Sequence, residues 1–284
     1  TLDGPPHVTC KAWAIADGQN GDVLWGANQE TPRDMASITK LMTAFVITQY
    51  AAQFPEVWEE TVTFSARAAV TPGSTCDLME AETINAAELM YGLLLPSGND
   101  AAVALAQHFG LRAYVDLGGV DPPQESYDAF SAAMNLTAQQ LEMKDSHFAN
   151  PHGMTDAKHK ASAQDLLKLA HRALQVPRLA EIVNTPQHGV SVTGAGGYRR
   201  NVLWKNTNRL LKTKGYDGIK TGTTNAAGAC LLSRGRRNED QLLLVVLGSA
   251  SSDARYSDSR NLYRWAWRQR GHSSSKDSLL GERP

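Results

Sequence analysis

Cysteine is scarce in this chain: Cys10, Cys76 and Cys230 are the only three among 284 residues, far apart, with no C-x-x-C pair. This excludes a disulfide framework and a cysteine-based zinc site, and leaves either one bridge or buried free thiols. Long apolar runs are also missing. No stretch of eighteen apolar residues occurs, and no charged-then-apolar leader stands at Thr1. The chain is therefore read as soluble, and either cytosolic or already stripped of a signal peptide. Nor is there an excess of charge of either sign. With 28 basic and 29 acidic residues the formal net charge is −1, so no global field draws nucleic acid or an anionic membrane, and nucleic acid is not an expected partner. The short basic groups Arg199-Arg200 and Arg234-Gly235-Arg236-Arg237 read as solvated turns.

What is present is a 42% hydrophobic composition, enough for a substantial core in one large domain or two lobes. Two apolar runs around an Asp/Gly/Asn turn, Ala12 to Ala16 and Val23 to Trp25, predict a β-hairpin. A second hairpin is predicted from Ala229 to Ser233 and Gln241 to Leu247, joined by a polar turn from Arg234 to Asp240. Helical periodicity runs over Thr39 to Tyr50, Ala86 to Leu95, Asp100 to Phe109, Tyr127 to Met143, Ser162 to Ala173 and Asp258 to Gln269. Strands at both ends around a helical middle predict an α/β (α+β) fold: one antiparallel sheet built from both chain ends and flanked by helices, with an inserted helical lobe. The expected division is a single catalytic domain over 1–270, with the α/β lobe at about 1–40 and 185–270 and the helical lobe at about 41–184. Residues 116–124, with two Gly and two Pro, read as a surface loop, and the polar stretch 271–284 as a disordered tail.

Three short motifs follow one another in order: Ser37-Ile38-Thr39-Lys40, Ser97-Gly98-Asn99 and Lys220-Thr221-Gly222. Ser37 precedes an apolar periodic segment, and residues three apart share a helix face, which brings Lys40 Nζ within reach of Ser37 Oγ. A serine hydroxyl needs a base, and an uncharged lysine serves if burial or a second cation lowers its pKa. Lys220 is the candidate cation. Pro96-Ser97-Gly98-Asn99-Asp100 lies between two helical segments. Read locally it is a helix cap; read as chemistry, Ser97 relays a proton to a leaving amine and Asn99 bonds a substrate amide. Lys220-Thr221-Gly222-Thr223 leads towards the second hairpin and is placed on an inner strand, where Gly222 lets the backbone approach and an exposed Lys220 and Thr221 offer donors to a carboxylate. The backbone N–H groups of Ser37 and Thr223 are the candidate oxyanion donors.

This S-x-x-K, S-x-N, K-T-G order is a pattern of penicillin-recognising serine enzymes. With Asn206-Thr207-Asn208-Arg209-Leu210-Leu211, Asp217 to Thr224, Ala227-Gly228 and His147 to Met154, the chain from about Val8 to Arg268 resembles the D-alanyl-D-alanine carboxypeptidases, low-molecular-mass penicillin-binding proteins of the serine DD-peptidase family. The resemblance implies an acyl-enzyme on Ser37, Lys40 as general base, Ser97 and Lys220 in the proton network, peptidoglycan stem peptides as substrate and β-lactams as covalent inhibitors. It also implies an arginine after the last strands that binds the substrate's terminal carboxylate, and Arg255 holds the matching position. No metal or organic cofactor is expected. Because the substrate lies outside the cytoplasmic membrane, the resemblance implies an exported protein, periplasmic or extracytoplasmic, with its signal peptide removed. Relatives often carry a further β-rich domain and an amphipathic membrane helix; neither is expected here, so no membrane anchor is assigned. Thr223 stands where several relatives have histidine.

Other readings share parts of this pattern. A DD-endopeptidase uses the same site. A class A β-lactamase needs a deacylating glutamate, and the E-x-x-L-N pattern for it is absent between Asn99 and Lys220. A non-catalytic wall-binding or β-lactam-sensing module would not need an activated nucleophile. His147, His152, Asp156 and His159 cluster in sequence without forming H-E-x-x-H or a comparable metal set.

Overall fold

The computed structural model describes residues 4–272. In chain order its elements are β1 (Ala12–Asp17), β2 (Val23–Ala27), α1 (Lys40–Gln53), β3 (Thr61–Thr63), α2 (Ala66–Ala69), β4 (Thr83–Asn85), α3 (Ala86–Leu94), α4 (Asn99–Asp116), α5 (Ser126–Gln140), α6 (Ala163–Leu174), α7 (Pro177–Asn184), β5 (Gln187–Thr193), β6 (Arg199–Lys205), β7 (Tyr216–Thr224), β8 (Gly228–Arg237), β9 (Asp240–Ser249) and α8 (Ala254–Gln269). A 3₁₀ turn, Ala36–Thr39, leads directly into α1.

The five-stranded antiparallel sheet has the order β2-β1-β9-β8-β7, so it is assembled from both ends of the chain as the sequence predicts. Its three inner strands, β1, β9 and β8, are buried on both faces, which is why Leu242 to Leu247 is an unbroken apolar run, whereas the edge strand β2 is exposed or half-exposed throughout. Alternation divides that run. Leu243, Val245 and Leu247 join Ala12, Ala14 and Ala16 on the face that meets α1 and α6, whereas Leu242, Leu244 and Val246 join Trp13 and Ile15 against Tyr263, Trp265 and Trp267 of α8. Helix α1 is buried almost all round, with Leu41, Met42, Ala44, Phe45, Val46 and Ile47 inside. That pattern belongs to a central helix rather than a surface one, and it carries Lys40 into the core with it.

Several expectations are corrected. A second antiparallel sheet of order β3-β4-β5-β6 lies beside the helices, built from two three-residue strands and a hairpin that buries Val190, Val192, Val202 and Trp204 and leaves most of its other residues exposed. The basic groups are not turns. Arg199-Arg200 opens β6, where Arg200 pairs with buried Glu82 at 2.6 Å; Arg234 to Arg237 close β8, where Arg234 and Arg236 reach Asp217 at 3.1 and 2.5 Å. The β8–β9 turn is correspondingly tighter than Arg234 to Asp240, with Asn238 in the left-handed region at φ 52°. The closing helix starts at Ala254 rather than Asp258. All three cysteines are free. Of the expected tail, Gly271 and His272 cap α8, and His272 N–H donates to Trp267 O at 2.9 Å; residues 273–284 lie outside the described residues.

Candidate active site

The Ala36–Thr39 turn sits in a gap between β7 and the Asn150–Met154 loop, and glycines make the gap possible. A Cβ on Gly222 would lie 2.9 Å from Ser37 N and 2.8 Å from Met35 O; one on Gly153 would lie 2.1 Å from Ala36 O. Neither position tolerates a side chain without displacing the turn. Ala36 itself has φ 48°, a conformation alanine rarely adopts. Residues 35, 36 and 38–40 are buried while Ser37 stays half-exposed. Among the described residues no acceptor takes the Ser37 N–H.

Lys40 is fully buried, and its Nζ lies 2.9 Å from Ser37 Oγ, 2.6 Å from Asn99 Oδ1 and 2.7 Å from the carbonyl of His152. The Asn99 amide cannot be turned over, because its Nδ2 donates to Pro72 O at 2.7 Å. Two of the three Lys40 partners are thus obligate acceptors. A neutral amine has two N–H donors and one lone pair, so these acceptors take both donors and leave the lone pair for the Ser37 hydroxyl proton. Burial is the main cause that drives the Lys40 pKa well below its usual value, with the Lys220 cation adding to it and the Asp100 carboxylate opposing it. The geometry therefore describes a base.

The second motif does not act as a cap. Gly98 is the N-cap of α4 and makes no side-chain cap bond, Ser97 Oγ is buried without a hydrogen-bond partner among the described residues, and Asn99 bonds Lys40 through Oδ1 and Pro72 O through one of its two Nδ2 hydrogens. Ser97 has φ 69°. Asp100, next in sequence, accepts from Cys76 N–H at 2.9 Å and from Thr75 Oγ1 at 2.6 Å, and so fastens the 72–76 segment that holds Asn99.

The third motif lies on β7, which is an edge strand rather than an inner one. Lys220 and Thr221 are buried rather than exposed, and Lys220 Nζ donates to Thr221 O at 3.1 Å. Burial, assisted by the Arg255 cation, lowers the Lys220 pKa to about 7. Thr221 Oγ1 bonds Thr207 Oγ1 at 2.7 Å, and Thr223 is exposed. Arg255 is not a surface residue: it lies buried at the start of α8, and its Nη1 donates to Thr223 Oγ1 at 3.0 Å and to Gly222 O at 3.2 Å. The structure thus brings Ser37, Lys40 and Asn99 into one hydrogen-bonded group, with Gly222 against the Ser37 turn. Arg255 stands behind Gly222 and Thr223, and Lys220 is near enough to depress Lys40.

The histidine cluster is engaged elsewhere. His152 Nδ1 accepts from Met154 N–H and its Nε2 meets Tyr127 OH at 3.2 Å; His159 bonds Thr39 and Ala149; His147 Nδ1 bonds Lys158 O at 3.0 Å. Among the described residues no group of three or more His, Cys, Asp or Glu could hold a metal ion. Sequence reasoning missed the carbonyls of Pro72 and His152, which orient the base. Only Gly73 and Gly153, both at positive φ in short polar segments, hint at them.

With this geometry in hand, comparison with known proteins is specific. The family model described as D-alanyl-D-alanine carboxypeptidase matches residues 1–251. The D-alanyl-D-alanine carboxypeptidase DacD of Escherichia coli is 29% identical over 271 residues, covering 92% of this chain but 64% of that protein, so the chain spans a little under two thirds of that relative. The D-alanyl-D-alanine carboxypeptidase of Streptomyces sp. strain K15 is 30% identical over 269 residues, covering 93% of this chain and 88% of that one. The crystal structure of the Streptomyces K15 DD-transpeptidase superposes with a TM-score of 0.84 at 27% identity, over 93% of this chain and 99% of that one. DacD from Francisella tularensis gives 0.81 at 27% identity, over 94% and 72%. The match of the family model over most of the chain establishes that this protein belongs to the peptidase S11 family of D-alanyl-D-alanine carboxypeptidases.

Proposed function

We propose that the protein is a serine-type D-Ala-D-Ala carboxypeptidase acting on peptidoglycan stem peptides outside the cytoplasmic membrane. The observation that carries this reading is the Lys40 amine, with two donors committed to Asn99 Oδ1 and His152 O and its lone pair directed at Ser37 Oγ, 2.9 Å away. β7 is an edge strand of the five-stranded sheet and lies beside the Ser37 turn, so an extended peptide would dock along it there. In this mechanism Ser37 Oγ attacks the carbonyl carbon of the penultimate D-Ala while its proton passes to Lys40. The N–H groups of Ser37 and Thr223 stabilise the oxyanion. As the ester forms on Ser37 the amide bond breaks, and the departing D-alanine takes the proton that Lys40 received from Ser37; Ser97, the relay the resemblance implies, makes no hydrogen bond to Lys40 among the described residues. Water then attacks the ester carbonyl as Lys40 takes its proton, the bond between Ser37 Oγ and the acyl carbon breaks, and Lys40 returns the proton to Ser37 Oγ as the shortened peptide leaves with its new carboxyl group. Lys220 and Arg255 supply positive charge for the terminal carboxylate. A β-lactam follows the same first step, but its leaving group stays tethered.

The test is release of D-alanine from a diacetyl-L-Lys-D-Ala-D-Ala tripeptide. The wild type should liberate one equivalent per peptide and Ser37→Ala none above background. Equal release by both proteins would defeat the assignment.

A further inference from the structure

His159 is 1% exposed and belongs to no motif, yet it touches both segments that set the reacting pair. Its Nε2 lies 2.7 Å from Thr39 Oγ1, and Thr39 Oγ1 in turn donates to Ala36 O at 2.7 Å. Because the single hydroxyl proton goes to Ala36, Thr39 must accept from His159, so Nε2 carries the ring hydrogen. On the other side Nδ1 accepts from Ala149 N–H at 3.0 Å. The two bonds agree on one neutral tautomer. The Phe148 ring packs edge-on against it, with centroids 5.9 Å apart. Burial drives the His159 pKa down to about 4, which keeps that tautomer in place at neutral pH.

The two anchored segments have different jobs. Ala36, held by Thr39, is the strained residue directly before Ser37. Ala149 opens the loop whose Pro151 carbonyl accepts from Thr43 Oγ1 at 2.6 Å and whose His152 carbonyl accepts from Lys40. We infer that His159 is a positioning residue for acyl transfer: through Thr39 it fixes the turn carrying Ser37, through Ala149 it fixes the loop that orients Lys40, and so it sets the register between nucleophile and base. This rests on the reading of Ser37 as the nucleophile given above. The residue touches neither substrate nor the reacting atoms; its effect is on alignment, where small displacements are costly to rate and not to binding.

The test uses Thr39, the link between ring and turn. Thr39→Val keeps the shape and removes the hydroxyl, while Thr39→Ser keeps the hydroxyl and removes the methyl. Benzylpenicillin acylation is followed under single-turnover conditions over a concentration series, which separates the dissociation constant of the reversible complex from the acylation rate constant. For Thr39→Val the rate constant should fall by about 10²-fold with the dissociation constant unchanged, and Thr39→Ser should restore the rate to near wild type. If Thr39→Val does not fold, Thr39→Ala removes the same hydroxyl and carries the same expectation. A wild-type rate in the hydroxyl-free variant, or an equal loss in Thr39→Ser, would overturn the inference and leave the proposed function standing. Failure of the wild type itself to acylate would overturn both.

Discussion

Replacing Lys220 with methionine should make the protein more stable at neutral pH and abolish acylation. Lys220 is fully enclosed beneath β7, and among the described residues no carboxylate pairs with it; its pKa falls from 10.5 to about 7. At pH 7 the unfolded chain holds this proton almost completely and the folded chain about half the time. By linkage that mismatch costs about 4 kcal/mol. Methionine has similar length and no charge, and gives up one hydrogen bond, to Thr221 O at 3.1 Å, worth about 1 kcal/mol with the carbonyl left wanting. The expected net gain is about 2–3 kcal/mol, or a rise of roughly 3–5 °C in melting temperature for a chain of this length. The sign with pH is equally defined. The folded pKa lies below the unfolded one, so between pH 7 and 10.5 the unfolded state binds more protons and wild-type stability rises with pH. The Lys220→Met advantage should therefore be full at and below pH 7 and vanish towards pH 10.5. Thermal denaturation of both proteins across this range, compared as a difference so that other groups cancel, reads it out. A variant less stable than wild type at pH 7, or a difference independent of pH, would refute the argument that burial strips this lysine of its proton.

Other consequences follow from the same geometry. Asn99→Asp puts a carboxylate where an amide oxygen now lies 2.6 Å from Lys40 Nζ, which favours the ammonium; acylation at pH 7 should fall by about 10²-fold and the acid limb of its pH profile move upward by a unit or more. A fall with no shift in the limb would contradict it. Gly222→Ala drives a methyl to 2.9 Å from Ser37 N, so it should lower stability by about 1–3 kcal/mol and reduce acylation far more than Gly189→Ala, whose Cβ would meet only a leucine methyl at 3.9 Å. In the wild type, acylation should decline on the alkaline side as Lys220 loses its proton from about pH 7 upward, because the positive charge set against the substrate's carboxylate is then lost. Stopped-flow rates climbing steadily to pH 10 would exclude that role.

The parts of this site legible in the sequence are those in which local spacing does the placing. Ser37 and Lys40 meet because they are one helical turn apart, and the five-stranded sheet is visible because strands buried on both faces leave continuous apolar runs such as Leu242 to Leu247. What was hidden depends on long-range main-chain contacts. The carbonyls of Pro72 and His152 carry no side-chain signature, and the latter reaches Lys40 from 112 residues away. The second sheet escaped because β3 and β4 have three residues each, and because β5 and β6 each bury only two alternating side chains, Val190 and Val192 in one and Val202 and Trp204 in the other, too few to stand out in otherwise polar segments. Arg200, Arg234 and Arg236 looked like solvated charge because their acidic partners, Glu82 and Asp217, are distant in sequence. His159, grouped with its neighbours as a weak metal set, turned out to be a hydrogen-bonded link between two backbone segments. Residue type alone could not separate those uses.

The central claim is that Ser37 is a nucleophile activated by Lys40. Intact-mass spectrometry after incubation with benzylpenicillin, on the wild type and on Ser37→Ala, tests it most directly. A one-to-one adduct is expected on the wild type and none on Ser37→Ala. An adduct that persists in Ser37→Ala, or a wild type that gains no mass and leaves the penicillin intact, would contradict it.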